Sequence, residues 1–404
     1  MDKGLASGEG VLETASWPQA VTLIALGTLP TMAIAALVAV LPSLFEHFSA
    51  VAHRELLVPM ILTVPSLCVA LFSSPVGAIA DRWGRRPVLL AALVAFTLCG
   101  VLPMFFESLY AIIGSRVVVG LAEAAILTIG NALMGDYFRE ERRRHWLGVQ
   151  MSIGPFVGSA YILLGGALGT WSWRGPFLIY GLGLLVLIAA SRTLFEPSRP
   201  RAVVEAHPLV RQFPWGITLL VGSVTLLISV IYFLQAVQHG RIFADLGVST
   251  PARISWIVTL ASAGTVVGGY TFKISKARAV GTMLAVTLAC YGIAYLGVGL
   301  APNYLVGLPF DAVGQFAGGY GLPTLIAWAL CKYDFEHRGR GMGVWAACFF
   351  LGQFLNPPLM TLIAHGRLSF LASTAVLGEI CLVAAAIAAY CGWRSPALGA
   401  TERV

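Results

Sequence analysis

Charge is scarce in this chain. Only 11% of its 404 residues are Asp, Glu, Lys or Arg, and 58% are hydrophobic; a soluble domain carries about 25% charged residues. That balance excludes a soluble enzyme, a DNA-binding domain, a disordered tail and a secreted disulfide scaffold. Chemical signatures are missing too. There is no P-loop, no H-E-x-x-H, no G-x-S-x-G and no G-x-G-x-x-G after a strand, so neither ATP hydrolysis nor another enzyme activity is expected. The seven cysteines, Cys68, Cys99, Cys290, Cys331, Cys348, Cys381 and Cys391, show neither C-x-x-C nor zinc spacing. They read as small packing residues. The first 17 residues hold Asp2, Glu9 and Glu13 and no basic n-region, so no cleaved signal peptide is expected.

Long apolar runs take up the rest. They fall at about 20–44, 56–80, 87–106, 109–135, 146–170 and 175–194, and again at 214–238, 251–272, 279–300, 304–331, 342–364 and 369–392. Each comes close to the ~20 residues that cross a ~30 Å hydrocarbon core, and none alternates as a barrel strand does. The expected fold is an all-α membrane protein of twelve transmembrane helices in two six-helix bundles. An N-terminal segment 1–17, a bundle 18–194, a linker 195–213, a second bundle 214–392 and a tail 393–404 make up the chain. Twenty of the 26 Lys and Arg residues fall on one side of this map, in the termini, the linker and alternate loops. The opposite side holds five, Arg54, Arg174, Arg241, Arg253 and Arg367, and Arg116 lies inside a span. This split puts both termini in the cytoplasm. The net charge of +7 is therefore loop charge, and no nucleic-acid partner is expected.

The halves repeat. Leu147-Gly148-Val149 opens run five and Met342-Gly343-Val344 opens run eleven; Gly77-x-x-x-Asp81 follows run two and Gly269-x-x-x-Lys273 follows run eight. The paired segments lie 192–195 residues apart, which implies two bundles related by a pseudo-two-fold axis along the membrane normal, with a site between them.

The loop after run two reads G-A-I-A-D-R-W-G-R-R-P, and it resembles the signature G-x-x-x-D-R-x-G-R-R of the major facilitator superfamily at Gly77, Asp81, Arg82, Gly84, Arg85 and Arg86. Gly77 would admit a neighbouring helix. Asp81 at a helix end could accept from Arg85 and from another helix N-terminus, forming a latch between the halves. Run four holds R-V-V-V-G-L-A-E-A from Arg116, similar to a second motif of the superfamily and to a stretch of its organic-anion and spinster-type lipid members. Run five holds Gly154-Pro155-x-x-Gly158 and then Gly165-Gly166, resembling the G-P-x-x-G-G motif of drug–proton antiporters with Ser159 in the last place. The resemblance implies a kink that packs helix five across the halves, and export in exchange for protons.

Four charged residues lie well inside spans: Arg116, Glu123, Asp311 and Glu379. Such groups are costly in hydrocarbon and are functional candidates by default. Glu123 follows Arg116 by seven residues, so both point to one side of the helix about 10 Å apart along its axis. A carboxylate that moves between apolar surroundings and an arginine changes its hold on a proton. Glu123, Asp311 and Arg116 are the expected proton-coupling set, with an Arg116–Asp311 contact in one state. Glu379 in run twelve is divided evenly between a functional and a structural or lipid-edge role.

Aromatics with scattered amides suit a large, partly apolar cargo. The candidate substrate residues are Arg116, Asn131, Tyr232, Gln235, Gln315, Phe316, Tyr320, Trp345, Phe349 and Gln353. Pro357-Pro358 is expected to break helix eleven, and Pro309 and Pro323 to bend helix ten. Together these features describe a monomeric, proton-coupled secondary transporter of a bacterial inner membrane, exporting small amphipathic organic compounds with no cofactor beyond the proton gradient. A symporter importing an organic anion through Arg116, a lipid or lysolipid transporter, and a non-transporting sensor or scaffold are the alternatives.

Overall fold

The structure is a computed structural model describing residues 16–197, 213–275, 279–334, 337–364 and 367–392. The segment before residue 16, most of the expected linker and the tail from 393 lie outside the described residues. The helices are α1 (Trp17–Val38), α2 (Leu41–His47), α3 (Arg54–Trp83), α4 (Arg85–Val101), α5 (Leu109–Tyr137), α6 (Glu140–Gly169), α7 (Leu182–Thr193), α8 (Trp215–Asp245), α9 (Pro251–Ala261), α10 (Ala263–Ser275), α11 (Val280–Leu300), α12 (Tyr304–Lys332), α13 (Arg338–Ala364) and α14 (Phe370–Gly392). Short 3₁₀ segments, Leu102–Phe105 and Gly175–Gly181, extend α4 and precede α7. Hydrocarbon offers the backbone no partner, so each crossing segment must bond to itself.

Sequence chemistry sets the helix ends. Ser16 and Gln19 form a capping box at α1, and the Asn303 side chain accepts from the backbone of Leu305 and Val306 at 3.1 and 3.2 Å at α12. Gly84, at φ 101°, turns the chain between α3 and α4, a conformation that favours glycine.

Eleven spans among the described residues are long and apolar enough to cross a membrane. The twelfth, α12, is 29 residues long; Asp311, Gln315 and its glycines and prolines lower its hydropathy. Run eight forms one span, Pro251–Ser275, with a one-residue turn at Ser262 between α9 and α10. One expectation needs correction. Run eleven does not break: α13 passes unbroken through Pro357 and Pro358. Gln238 and Asn356 brace it there, since the Gln238 amide donates to Asn356 Oδ1 and Asn356 donates to the Val230 carbonyl of α8.

The packing repeats in both halves. α3 lies along α5 as α10 lies along α12, and α4 packs on α7 as α11 packs on α14. Each half has its own core; where they meet, Phe233, Val237, Tyr232, Ala236 and Phe349 pack with the first and Ala39 and Ile162 with the second. Between halves, α3 meets α13 and α6 meets α9, a pair of contacts exchanged by the same two-fold relation.

The halves are sealed at the end opposite the arginine-rich loops. There Gly240 of α8 faces Val38 and Pro42, and Arg241 pairs with Glu55 of α3 at 2.6 Å. The Arg241 guanidinium also lies between the rings of Phe45 and Phe370, 4.6 and 4.3 Å from their centroids. Toward the arginine-rich end the bundles part. α3 is buried from Ile61 to Ser66 and largely exposed from Leu71 to Ile79.

Close approach falls on some of the motif glycines and not on others. A methyl group at Gly120 of α5 would stand 2.6 Å from Pro65 Cα, whereas one at Gly77 would meet Thr128 at an ordinary 3.4 Å. On α6, one at Gly166 would stand 2.8 Å from the Pro251 carbonyl oxygen, and one at Gly154 would meet nothing within 4 Å. Gly166→Ala is therefore expected to destabilise the protein by about 1–3 kcal/mol through overpacking. Gly154→Ala should match or exceed the wild type, because alanine is the better helix former. Thermal unfolding of the purified variants checks this; equal midpoints for the two would contradict the packing argument.

Candidate functional site

Between the halves lies a cavity of about 390 Å³, within the range typical of small-molecule sites. Its N-terminal wall comes from α1, α5 and α6 and is apolar except for Thr31. Its C-terminal wall, from α8 to α13, carries the aromatic rings and the amides.

Asp311 sits behind this second wall, wholly buried on α12. Both of its oxygens are occupied. The Gln235 amide donates to Oδ1 at 2.7 Å and to the Asp311 backbone carbonyl at 2.9 Å. His239 Nε2 lies 2.9 and 3.1 Å from the two carboxylate oxygens. Gln235 and His239 are one turn apart on α8 and both line the cavity, so a single helix face holds the acid from the cavity side. Gln315 approaches His239 Nε2 at 3.4 Å, and its Oε1 accepts from Thr265 at 2.8 Å. Thr265 lies just past the Ser262 turn, where Ser262 Oγ stands 3.5 Å from Ser159 Oγ of α6. Asp311 and His239 are the ionisable members of this network, and an uncompensated charge there is costly to bury.

Histidine 239 is the residue that sequence reasoning missed. Counting only Asp, Glu, Lys and Arg inside spans passes over a neutral imidazole. Its position four residues after Gln235, on the same helical face, is the signal that could have found it.

Of the expected substrate residues, Tyr232, Gln235, Gln315, Phe349 and Gln353 line the cavity. Trp345 stands behind Phe349, stacked at 5.3 Å, and Phe316 stacks on the buried Tyr320 at 5.9 Å; none of these three borders the cavity. Asn131 is exposed and away from it. Tyr291, Phe350 and Thr31 line it unannounced by any motif.

Arg116 is not a cavity residue, and it does not meet Asp311. Its Nη2 donates to the carbonyls of Cys99 and Gly100, each at 3.0 Å, and its guanidinium faces the rings of Phe177 and Tyr180 at 5.2 and 4.8 Å. The cause lies in the sequence: residue 103 is a proline and has no N–H. In a helix that N–H would serve Cys99 at i+4, and in a 3₁₀ turn it would serve Gly100 at i+3. Arginine replaces it. Glu123 is buried in the same bundle, one turn from the cavity-lining Leu127, and its Oε1 has no hydrogen-bond partner. Glu379 is exposed on α14.

Arg85 bridges Asp81 and Asp136, while the backbone N–H groups of Arg85 and Arg86 donate to the two oxygens of Glu196 at 2.8 and 2.7 Å. An anion at the first turn of α4 is favoured by the unpaired amides and the helix dipole. Glu196 is thus a carboxylate at that N-terminus, and Arg86 reaches the Ser191 carbonyl at 2.7 Å. Among the described residues no group of three His, Cys, Asp or Glu side chains could hold a metal ion.

Residues 23–308 match the family model for the Major Facilitator Superfamily. The chain is 26% identical over 362 residues to the tetracycline resistance protein, class C, of Escherichia coli, covering 83% of this chain and 87% of that one. It is 25% identical over 364 residues to the bacillibactin exporter of Bacillus subtilis, covering 83% and 88%. Among solved structures, a bacterial homolog of the human lysosomal transporter Spinster, in an inward-facing and occupied conformation, superposes with a TM-score of 0.72 at 18% identity over 94% of this chain and 98% of that one.

Proposed function

Since this chain belongs to the major facilitator superfamily, a family of multi-pass membrane transporters and not of enzymes, we propose that it is a proton-coupled exporter of small amphipathic organic compounds. It works as a monomer in a bacterial inner membrane with both termini in the cytoplasm, driven by the proton gradient alone. On this reading the arginine-rich end is cytoplasmic and the structure is open to the inside. The observation that carries the proposal is the Asp311–His239 pair, buried directly behind the wall of a largely apolar cavity between the halves. Cargo entering the cavity meets Gln235 and His239, the two side chains that hold the acid. Binding of cargo and release of a proton thus share one structure, as an exchanger requires. The two relatives described above are a tetracycline resistance protein and a bacillibactin exporter, which supports outward movement of organic cargo. An anion importer built on Arg116 has no support, because that side chain is spent on the Cys99 and Gly100 carbonyls.

Inside-out membrane vesicles with an acid interior test the proposal. Ethidium, whose fixed charge prevents passive trapping by a pH gradient, should accumulate within them and leave when a protonophore is added. Equal ethidium content with and without the gradient would refute proton-coupled export.

A further inference from the structure

The polar groups of the cavity are divided unequally. Thr31 apart, they all belong to the C-terminal half. Most are already engaged: Gln235 and His239 with Asp311, and Gln315 with Thr265. Gln353 on α13 is different. It is 1% exposed, its Oε1 has no hydrogen-bond partner, and it lines the cavity. Four residues further on comes Pro357, so the Gln353 backbone carbonyl also lacks the i+4 N–H of a regular helix. One turn before Gln353 on the same face, Phe349 borders the cavity with Phe233 and Tyr232, at ring distances of 5.0 and 5.7 Å. A buried acceptor without a donor is unfavourable, and here it stands beside an aromatic floor.

We propose that Gln353 selects the cargo: its side-chain oxygen accepts a hydrogen bond from an N–H or O–H group of a flat, mostly apolar molecule resting on Phe349. Recognition is one-sided. The C-terminal half reads the polar edge of the cargo, and the N-terminal wall supplies only apolar contact. The inference rests on the transport reading above and narrows its substrate class to planar compounds that carry an exposed donor.

Two planar acridine cations form the test pair, proflavine with two free amino groups and acridine orange with both dimethylated. Their binding to the purified protein is measured by fluorescence titration. Wild type should prefer proflavine by about tenfold, the scale of one hydrogen bond to a desolvated partner. Gln353→Met keeps length and helix propensity but offers no amide, and should bind both dyes alike with an unchanged thermal midpoint. Thr31→Val, on the opposite wall, should keep the preference. A preference that survives in Gln353→Met overturns the assignment of Gln353, and equal binding by wild type overturns donor recognition. Failure of wild type to bind either dye overturns the substrate class. If wild type prefers proflavine and Gln353→Met does not, while the vesicles ignore the pH gradient, the coupling reading alone fails.

Discussion

Asp311→Asn is expected to abolish gradient-driven accumulation of ethidium in inside-out vesicles, a loss of at least a hundredfold in initial rate, while exchange of labelled for unlabelled cargo continues. Asparagine matches aspartate in shape. It can still accept from Gln235 through one oxygen, so the local packing between α8 and α12 survives. What disappears is the ability to gain and lose a proton. Asp311 is wholly buried and is held by one imidazole and one amide. Exchange without net proton movement needs only alternating access, which the variant retains. His239→Gln should give a milder defect, because the acid remains but loses its proton-sharing partner. Gradient-driven accumulation by Asp311→Asn at the wild-type rate would remove the pair from the mechanism.

Arg116→Leu is expected to deplete folded protein rather than alter coupling. It would strand the buried carbonyls of Cys99 and Gly100, at about 1–3 kcal/mol for each unpaired group. That is a large share of a stability of roughly 5–15 kcal/mol. The origin of the defect can be checked by a second change. Pro103→Ala restores an N–H to the turn those carbonyls face, so the double variant should recover part of the loss. The measurement is the yield of monodisperse protein and its thermal midpoint. A stable Arg116→Leu protein with defective coupling would return Arg116 to the transport machinery.

These two residues show what the sequence discloses and what it hides. Both are conspicuous as charges in hydrocarbon, and the cost of placing them there makes each important for some reason. For Asp311 that reason is the cavity. For Arg116 it is Pro103, thirteen residues upstream, and the link becomes visible only when α4 and α5 are packed together. The spans themselves were legible because lipid imposes a length on any apolar run. The turn at Ser262 was not, since glycine, a weak helix former present there as Gly264, also recurs inside unbroken spans; the tertiary setting of Thr265 and Gln315 accompanies it. Proline misled in the opposite direction at Pro357, where Asn356 and Gln238 brace the helix. Among the motif glycines, the sequence does not tell which ones meet a neighbouring helix. A motif marks where a loop or bend is, but only the neighbouring helix decides which glycine must lack a side chain, and here those are Gly120 and Gly166. His239 escaped because a histidine without a visible partner looks neutral, and its partner lies on a helix 72 positions away.

The clasp of Arg241 with Glu55 has a consequence for the working cycle. Glu55 is 46% exposed, so the bond that keeps the halves shut at that end is bathed by the compartment it faces. Dissolved ions there weaken it, over a Debye length of about 8 Å at physiological ionic strength, while the Phe45 and Phe370 rings that flank the guanidinium are indifferent to salt. Part of the resistance to opening is thus set by the medium outside that gate, and brine on the other face of the membrane leaves it untouched.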